Sequence, residues 1–229
     1  MVTGSTLASA VRAELAGLAD PEKAPKMRSY MRSTLPFRGV PKPERHALAR
    51  RVFAAHPLPA RADWLAAVGE LWHGAAYREE RYLALELCRH RSYTPWQGPD
   101  LAGWYGELIR SGAWWDLVDE IATRLVGPLL RAYPDELTPL IRDWQTNEDL
   151  WLRRAALICQ VGAKARTDHA LLASCVEANR TDPEFFIRKA IGWALRDYAK
   201  TAPDWVRAFV AEHPELSTLS RREALRNLN

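Results

Sequence analysis

The 229-residue chain is poor in the residues that staple or punctuate small folds, with 3 cysteines and only 12 glycines. Cys88, Cys159 and Cys175 are an odd number without CxxC spacing, which argues against a disulfide framework or a zinc site and for small core residues. Long apolar runs are missing too: charges interrupt each one within a handful of residues, and Arg12 and Glu14 stand inside the apolar pattern of the N-terminal segment. Neither a membrane span nor a secretory leader is expected, and the chain reads as intracellular and cytoplasmic. The histidines form neither HExxH nor HxH, and no Walker loop, GxGxxG or GxSxG occurs. These absences remove the metalloprotease, simple nucleotide-binding and serine-hydrolase readings, so any chemistry is expected to run without a metal or cofactor.

What is present in excess is tryptophan, 10 residues of it, in a chain that is 48% hydrophobic and 26% charged. Large flat side chains with few glycines argue for helices and against a strand-and-turn protein. Apolar residues recur at three and four throughout, and no alternating strand is found. The spacing predicts helices over 5–18, 24–33, 42–55, 61–73, 77–91, 99–111, 114–131, 135–146, 148–161, 167–179, 183–200, 203–212 and 218–227. Lys plus Arg, 32, exceed Asp plus Glu, 28, giving a net charge of +4 that allows a polyanionic partner without requiring one.

Self-similarity organises these segments. ArgHisAlaLeuAla begins at Arg45, ArgTyrLeuAlaLeu at Arg81, ArgArgAlaAlaLeu at Arg153, ArgLysAlaIleGly at Arg188 and ArgGluAlaLeuArg at Arg222, at intervals of 36, 72, 35 and 34 residues. The doubled interval calls for a further unit near 117, inside TrpTrpAspLeuValAsp at 114–119. Cores near 45, 81, 117, 153, 188 and 222, each with two helices, predict an all-α single domain over 1–229. It would be an α-solenoid whose helix pairs each bury a face on the next.

The register isolates one residue. Two positions after the repeat starts stand Ala47, Leu83, Ala155, Ala190 and Ala224, whereas the unit near 117 has Asp119. A carboxylate at a packing position is partly desolvated and needs an opposing charge, and such breaks in a consistent pattern are expected at functional sites. Trp115 lies one turn earlier on the same helix face, and Arg154 and Trp193 follow their own repeat starts closely. A carboxylate flanked by indoles and backed by an arginine suits a cation held near a phosphate. The alternative at this point is that both tryptophans are core and Asp119 caps or pairs locally.

Basic residues make a second pattern in the C-terminal third, from Arg153, Arg154, Lys164 and Arg166 through Arg188, Lys189, Arg196 and Lys200 to Arg226. Along one edge of a solenoid they would follow a phosphate backbone; otherwise they form a solvated face paired with acids. Glu79 and Glu80 read as helix-surface acids.

Four runs in order carry a resemblance. MetArgSerTyrMetArg…PheArgGlyVal…ProGluArg (27–45), TrpTrpAspLeuValAsp (114–119), TrpLeuArgArgAlaAla (151–156) and PhePheIleArgLysAlaIleGlyTrpAlaLeuArgAspTyrAlaLys (185–200) closely resemble the AlkD-like DNA alkylation repair family, over about residues 20 to 227. The resemblance implies HEAT-like repeats with a concave basic surface that grips duplex DNA. It also implies a monofunctional glycosylase that hydrolyses the N-glycosidic bond of N3- and N7-alkylated purines without flipping the base. By that likeness Asp119 is the catalytic carboxylate, Trp115 and Trp193 contact the lesion's deoxyribose, and Arg154 holds the nearby backbone. Tyr30 and Arg196, with Lys164 and Lys189, are expected on the DNA. The implied partner is duplex DNA containing alkylated purines, bound by a monomer associated with the nucleoid, with no membrane, metal or cofactor involved.

An alkylated purine of this kind is a cation and a good leaving group, so the site need only stabilise positive charge developing on the sugar and orient water. Neutral lesions are expected to be poor substrates. Two departures from the family pattern concern phosphate contacts: Val40, Pro41 and Lys42 replace a polar pair ahead of ProGluArg, and Gly162 stands where a basic residue is expected, with Lys164 and Arg166 nearby. A differently shaped groove would favour bulky adducts, as in self-resistance to a DNA-alkylating natural product. Two other classes remain at this stage: a solenoid that binds DNA without cleaving it, and a protein-binding scaffold.

Overall fold

A computed structural model describes residues 4–228. The described chain is helical, without strands, as the repeat register anticipates. It comprises α1 (Gly4–Gly17), α2 (Ala24–Met31), α3 (Lys42–Ala55), α4 (Arg61–His73), α5 (Arg78–Cys88), α6 (Leu101–Gly112), α7 (Trp115–Ile121), α8 (Gly127–Ala132), α9 (Pro134–Trp144), α10 (Leu150–Ile158), α11 (His169–Asn179), α12 (Phe185–Tyr198), α13 (Pro203–Glu212) and α14 (Thr218–Leu225). No helix among the described residues is long and apolar enough to cross a membrane. Contacts cluster into two compact units, Met1–Trp96 and Gln97–Asn229.

In the first unit α1 packs Leu7, Ala8, Val11 and Leu15 against α3 and α4, the spacing of one helical face. α4 answers with Trp64, Ala67, Val68, Leu71 and Trp72. A single 310 segment, Arg91–Trp96, follows α5 where the sequence predicts three more helical residues, and its Tyr93 stacks on Trp96 with centroids 5.0 Å apart.

Glu79 and Glu80 are not surface acids: both are buried, at 0% and 1% exposure. The Glu79 carboxylate accepts the main-chain N–H groups of Arg38, Gly39 and Val40 at 2.9–3.2 Å, closing the loop before α3. Glu80 accepts from Ala76 and Tyr77 and pairs with Arg12 at 2.8 Å, so each buried charge has charge-assisted partners. Gly39 is in the left-handed region, φ +84°, and a Cβ there would stand 2.2 Å from the Asp20 carbonyl.

In the second unit α10 lies centrally, packed by α7, α9, α11 and α12. Its first turn is capped by Asp149, whose side chain accepts from Trp151 and Leu152, a bond pair contributing about 1 kcal/mol. The helix predicted over 114–131 is interrupted by a π turn, Ala122–Val126, between α7 and α8. Pro128 explains it. A regular helix would drive its ring into the Arg124 carbonyl, and widening the preceding turn relieves that clash. Gly127 sits where a Cβ would be 2.2 Å from the Cys159 carbonyl, so α8 lies directly on the end of α10. Gly192 plays the same part for α12 and α14, a Cβ there meeting that of Glu223 at 2.5 Å.

Candidate functional site

The repeat period is visible as physical contact. Leu58 bonds to Tyr93, Arg61 to Trp96, Asp119 to Arg154 and Gly162 to Asp197, each pair 35 residues apart. Of the five residues equivalent to Asp119, Leu83, Ala155, Ala190 and Ala224 are fully buried in the core and Ala47 is half-buried. Asp119 therefore projects from α7 into a packing position, and the charge it requires comes from α10.

Arg154 supplies that charge through a two-point grip. Its Nε donates to Asp119 Oδ1 at 2.7 Å and its Nη2 to Oδ2 at 2.8 Å, a planar match between guanidinium and carboxylate. Its third corner, Nη1, donates to the main-chain carbonyl of Phe186 at 2.6 Å on the first turn of α12. The Arg154 side chain is 6% exposed and that of Asp119 18%. Burial is the largest influence on Asp119 and pushes its carboxyl above the ordinary aspartate value. The hydrogen bonds and charge of Arg154 oppose this, while nearby Asp116 and Glu120 add to the rise.

Beneath the pair lies an aromatic cluster. The Phe186 ring meets Trp114 at 5.4 Å, Trp151 at 5.1 Å and Phe185 at 5.5 Å, and the Arg154 guanidinium stands 5.8 Å from its centroid. Trp114 and Trp151 lie 5.9 Å apart, and the buried indole N–H of Trp114 has no hydrogen-bond partner among the described residues. Trp115 and Trp193 remain partly exposed, one turn before Asp119 on α7 and on the Phe186 face of α12.

Asp119, Trp115, Arg154 and Trp193 thus belong to the second unit, on α7, α10 and α12, and Asp119 and Arg154 are in direct contact. Arg154, expected on a phosphate, instead directs three of its nitrogens to Asp119 and Phe186. Arg196 and Lys189, expected on DNA, are both paired with Glu223, Lys189 at 3.3 Å and Arg196 in a closer contact. Lys164 is exposed, in a 310 turn with φ +56°. Tyr30 is 72% exposed on α2, in the first unit. Gly162 has its own reason to be glycine: at φ +86° it closes the end of α10 and donates its N–H to Asp197 Oδ2 at 2.5 Å.

Sequence reasoning did not single out Trp114, Trp151 or Phe186 individually. The adjacent aromatics at 114–115 and 185–186 were the available signal, Phe185 being exposed while Phe186 and both tryptophans are half-buried. The three cysteines are buried and form no disulfide, and burial pushes their thiols up, which removes them as nucleophiles.

The fold and site together define a helical-repeat protein with an arginine-locked carboxylate, on helices two of which also carry a partly exposed indole. The family model described as DNA alkylation repair enzyme matches residues 11–228. The chain belongs to that family, which places it in the repair of alkylation damage with DNA as substrate. A solved structure described as a predicted DNA alkylation repair enzyme from Enterococcus faecalis is similar at 33% identity, with 92% of this chain and 96% of that one covered and a TM-score of 0.82. A search of curated proteins finds no match.

Proposed function

We propose that the protein is a DNA glycosylase that releases cationic N3- and N7-alkylated purines from duplex DNA by hydrolysis, without base flipping and without a cofactor. The observation that carries this reading is the Asp119 carboxylate gripped at both oxygens by Arg154, with the partly exposed Trp115 one turn earlier on the same helix. Because the leaving purine is already positive, no general acid is needed, and the site has to stabilise a cationic sugar. A half-buried anion does so more strongly than one in water. Arg154 occupies one lone pair on each Asp119 oxygen, and the remaining acceptor capacity serves to orient the attacking water. The indole faces of Trp115 and Trp193 add attraction for the sugar's polarised C–H bonds. Tyr30, Lys164, Lys189 and Arg196 are assigned to the DNA backbone.

The test is single-turnover release of 7-methylguanine from methylated duplex by the wild type and by Asp119→Asn. Release that falls by orders of magnitude in the variant, with duplex affinity kept or raised, supports the assignment. Weakened binding with an unchanged rate removes Asp119 from the chemistry. Tight binding with no release by the wild type turns the reading towards bulky N3-adenine adducts or a non-catalytic binder.

A further inference from the structure

Arg154 can hold Asp119 in one geometry only if its own position is fixed. A long arginine side chain has about 2 kcal/mol of rotamer freedom to lose, and the two carboxylate bonds define one edge of the guanidinium and leave it free to tilt. Phe186 removes that freedom twice. Its carbonyl takes Nη1 at 2.6 Å, and its ring, held against Trp114, Trp151 and Phe185, stands over the guanidinium at 5.8 Å. Phe186 also sits two turns before Trp193 on the same face of α12, so the anchor that fixes Arg154 fixes where that indole stands.

We propose that Phe186 is a positioning residue for the reaction at Asp119, acting through Arg154. The chain Phe186 carbonyl, Arg154 guanidinium, Asp119 carboxylate joins three successive repeats, through α12, α10 and α7. Loss of the ring lets the first turn of α12 drift, and the guanidinium then meets the carboxylate at one oxygen instead of two. A displacement of this size at a reacting group is worth roughly tenfold to a hundredfold in rate. The inference rests on the glycosylase reading for its kinetic arm and stands apart from it in its spectroscopic arm.

The experiment compares wild type, Phe186→Leu, Phe186→Tyr, Arg154→Gln and the Phe186→Leu/Arg154→Gln double variant. Two measurements are made on each: single-turnover release of 7-methylguanine, and 13C NMR titration of the Asp119 carboxyl in the free protein. Phe186→Leu is expected to slow release roughly tenfold to a hundredfold with duplex affinity unchanged. It should also move the Asp119 titration upward, in the same direction as Arg154→Gln. Phe186→Tyr, which keeps the ring, should match wild type in both measurements. The double variant should be no slower than Arg154→Gln alone, because a residue acting through Arg154 has nothing further to lose. Losses that multiply in the double variant, or an Asp119 titration that stays put in folded Phe186→Leu, overturn the proposal. Should Phe186→Leu not fold, a Phe186→Tyr protein with a displaced Asp119 titration overturns it equally. If wild type shows no Asp119-dependent release, the glycosylase reading fails while the titrations still decide the positioning role.

Discussion

At the scale of single residues, burial gives the titration of Asp119 a definite sign. Because the folded carboxyl lies above its ordinary value, the native state takes up a proton there more readily than the unfolded chain. Stability from this group therefore grows as pH falls through that range, while an activity that needs the anion is lost. Excision is expected to fail on the acid side while the fold persists, checked by release rates and circular dichroism on the same samples. Arg154→Gln removes the cation that grips Asp119, so the acid limb of excision should shift to higher pH. Leaving one partner of a buried pair alone should also cost about 3 kcal/mol, read from denaturant midpoints. Asp119 was legible in the sequence because it broke a register kept by Ala47, Leu83, Ala155, Ala190 and Ala224. Glu79 was not. Its partners are backbone N–H groups some 40 residues earlier, and adjacent acids at a helix start have the same local pattern whether solvated or enclosing a loop. Glu79→Ala should leave those groups without an acceptor and destabilise the protein by about 3 kcal/mol, visible as a lowered Tm.

At the scale of elements, periodicity placed the helices well. α3, α4 and α13 begin and end where the spacing put them, and Pro134 and Pro203 open α9 and α13. What sequence spacing missed was the interior of a long segment. Apolar residues continue at three and four through 114–131, so the pattern shows no break, yet Pro128 forces the π turn because its effect acts four residues upstream. The contact between α12 and α14 was equally silent, since it depends on what Gly192 lacks. Gly192→Ala should push α14 away from α12 at a cost of about 1–3 kcal/mol, and it should loosen Glu223 from Lys189 and Arg196. Crystallography or amide exchange confined to α14 would report it.

On the scale of the whole molecule, the C-terminal basic residues are distributed among acids to a degree their sequence did not reveal. Arg153 pairs with Asp182, Lys200 with Asp197 and Arg207 with Asp204, besides the two cations held by Glu223. Lys200–Asp197 and Arg207–Asp204 are neighbours one turn apart, but the partners of Arg153, Lys189 and Arg196 lie 27 to 34 residues away and are invisible to local charge counting. If Lys189 and Arg196 meet phosphates, they do so in competition with Glu223. Glu223→Gln should then raise duplex affinity and steepen the dependence of log K on log salt by about 0.9 for each cation released, measured by fluorescence anisotropy across a salt series. An unchanged slope would place both off the DNA. The 35-residue pairing has one more consequence, which concerns which insertions the chain can survive. Asp119 and Arg154 meet because two helices are in phase, not because they are near in sequence. A residue added in the Gln145–Asp149 connection can be absorbed there, whereas one added inside α10 ahead of Arg154 rotates everything beyond it by about 100° and carries the guanidinium off its carboxylate. Length variation among relatives of this protein should therefore collect at the joints between helices, leaving the spacing within α7, α10 and α12 untouched.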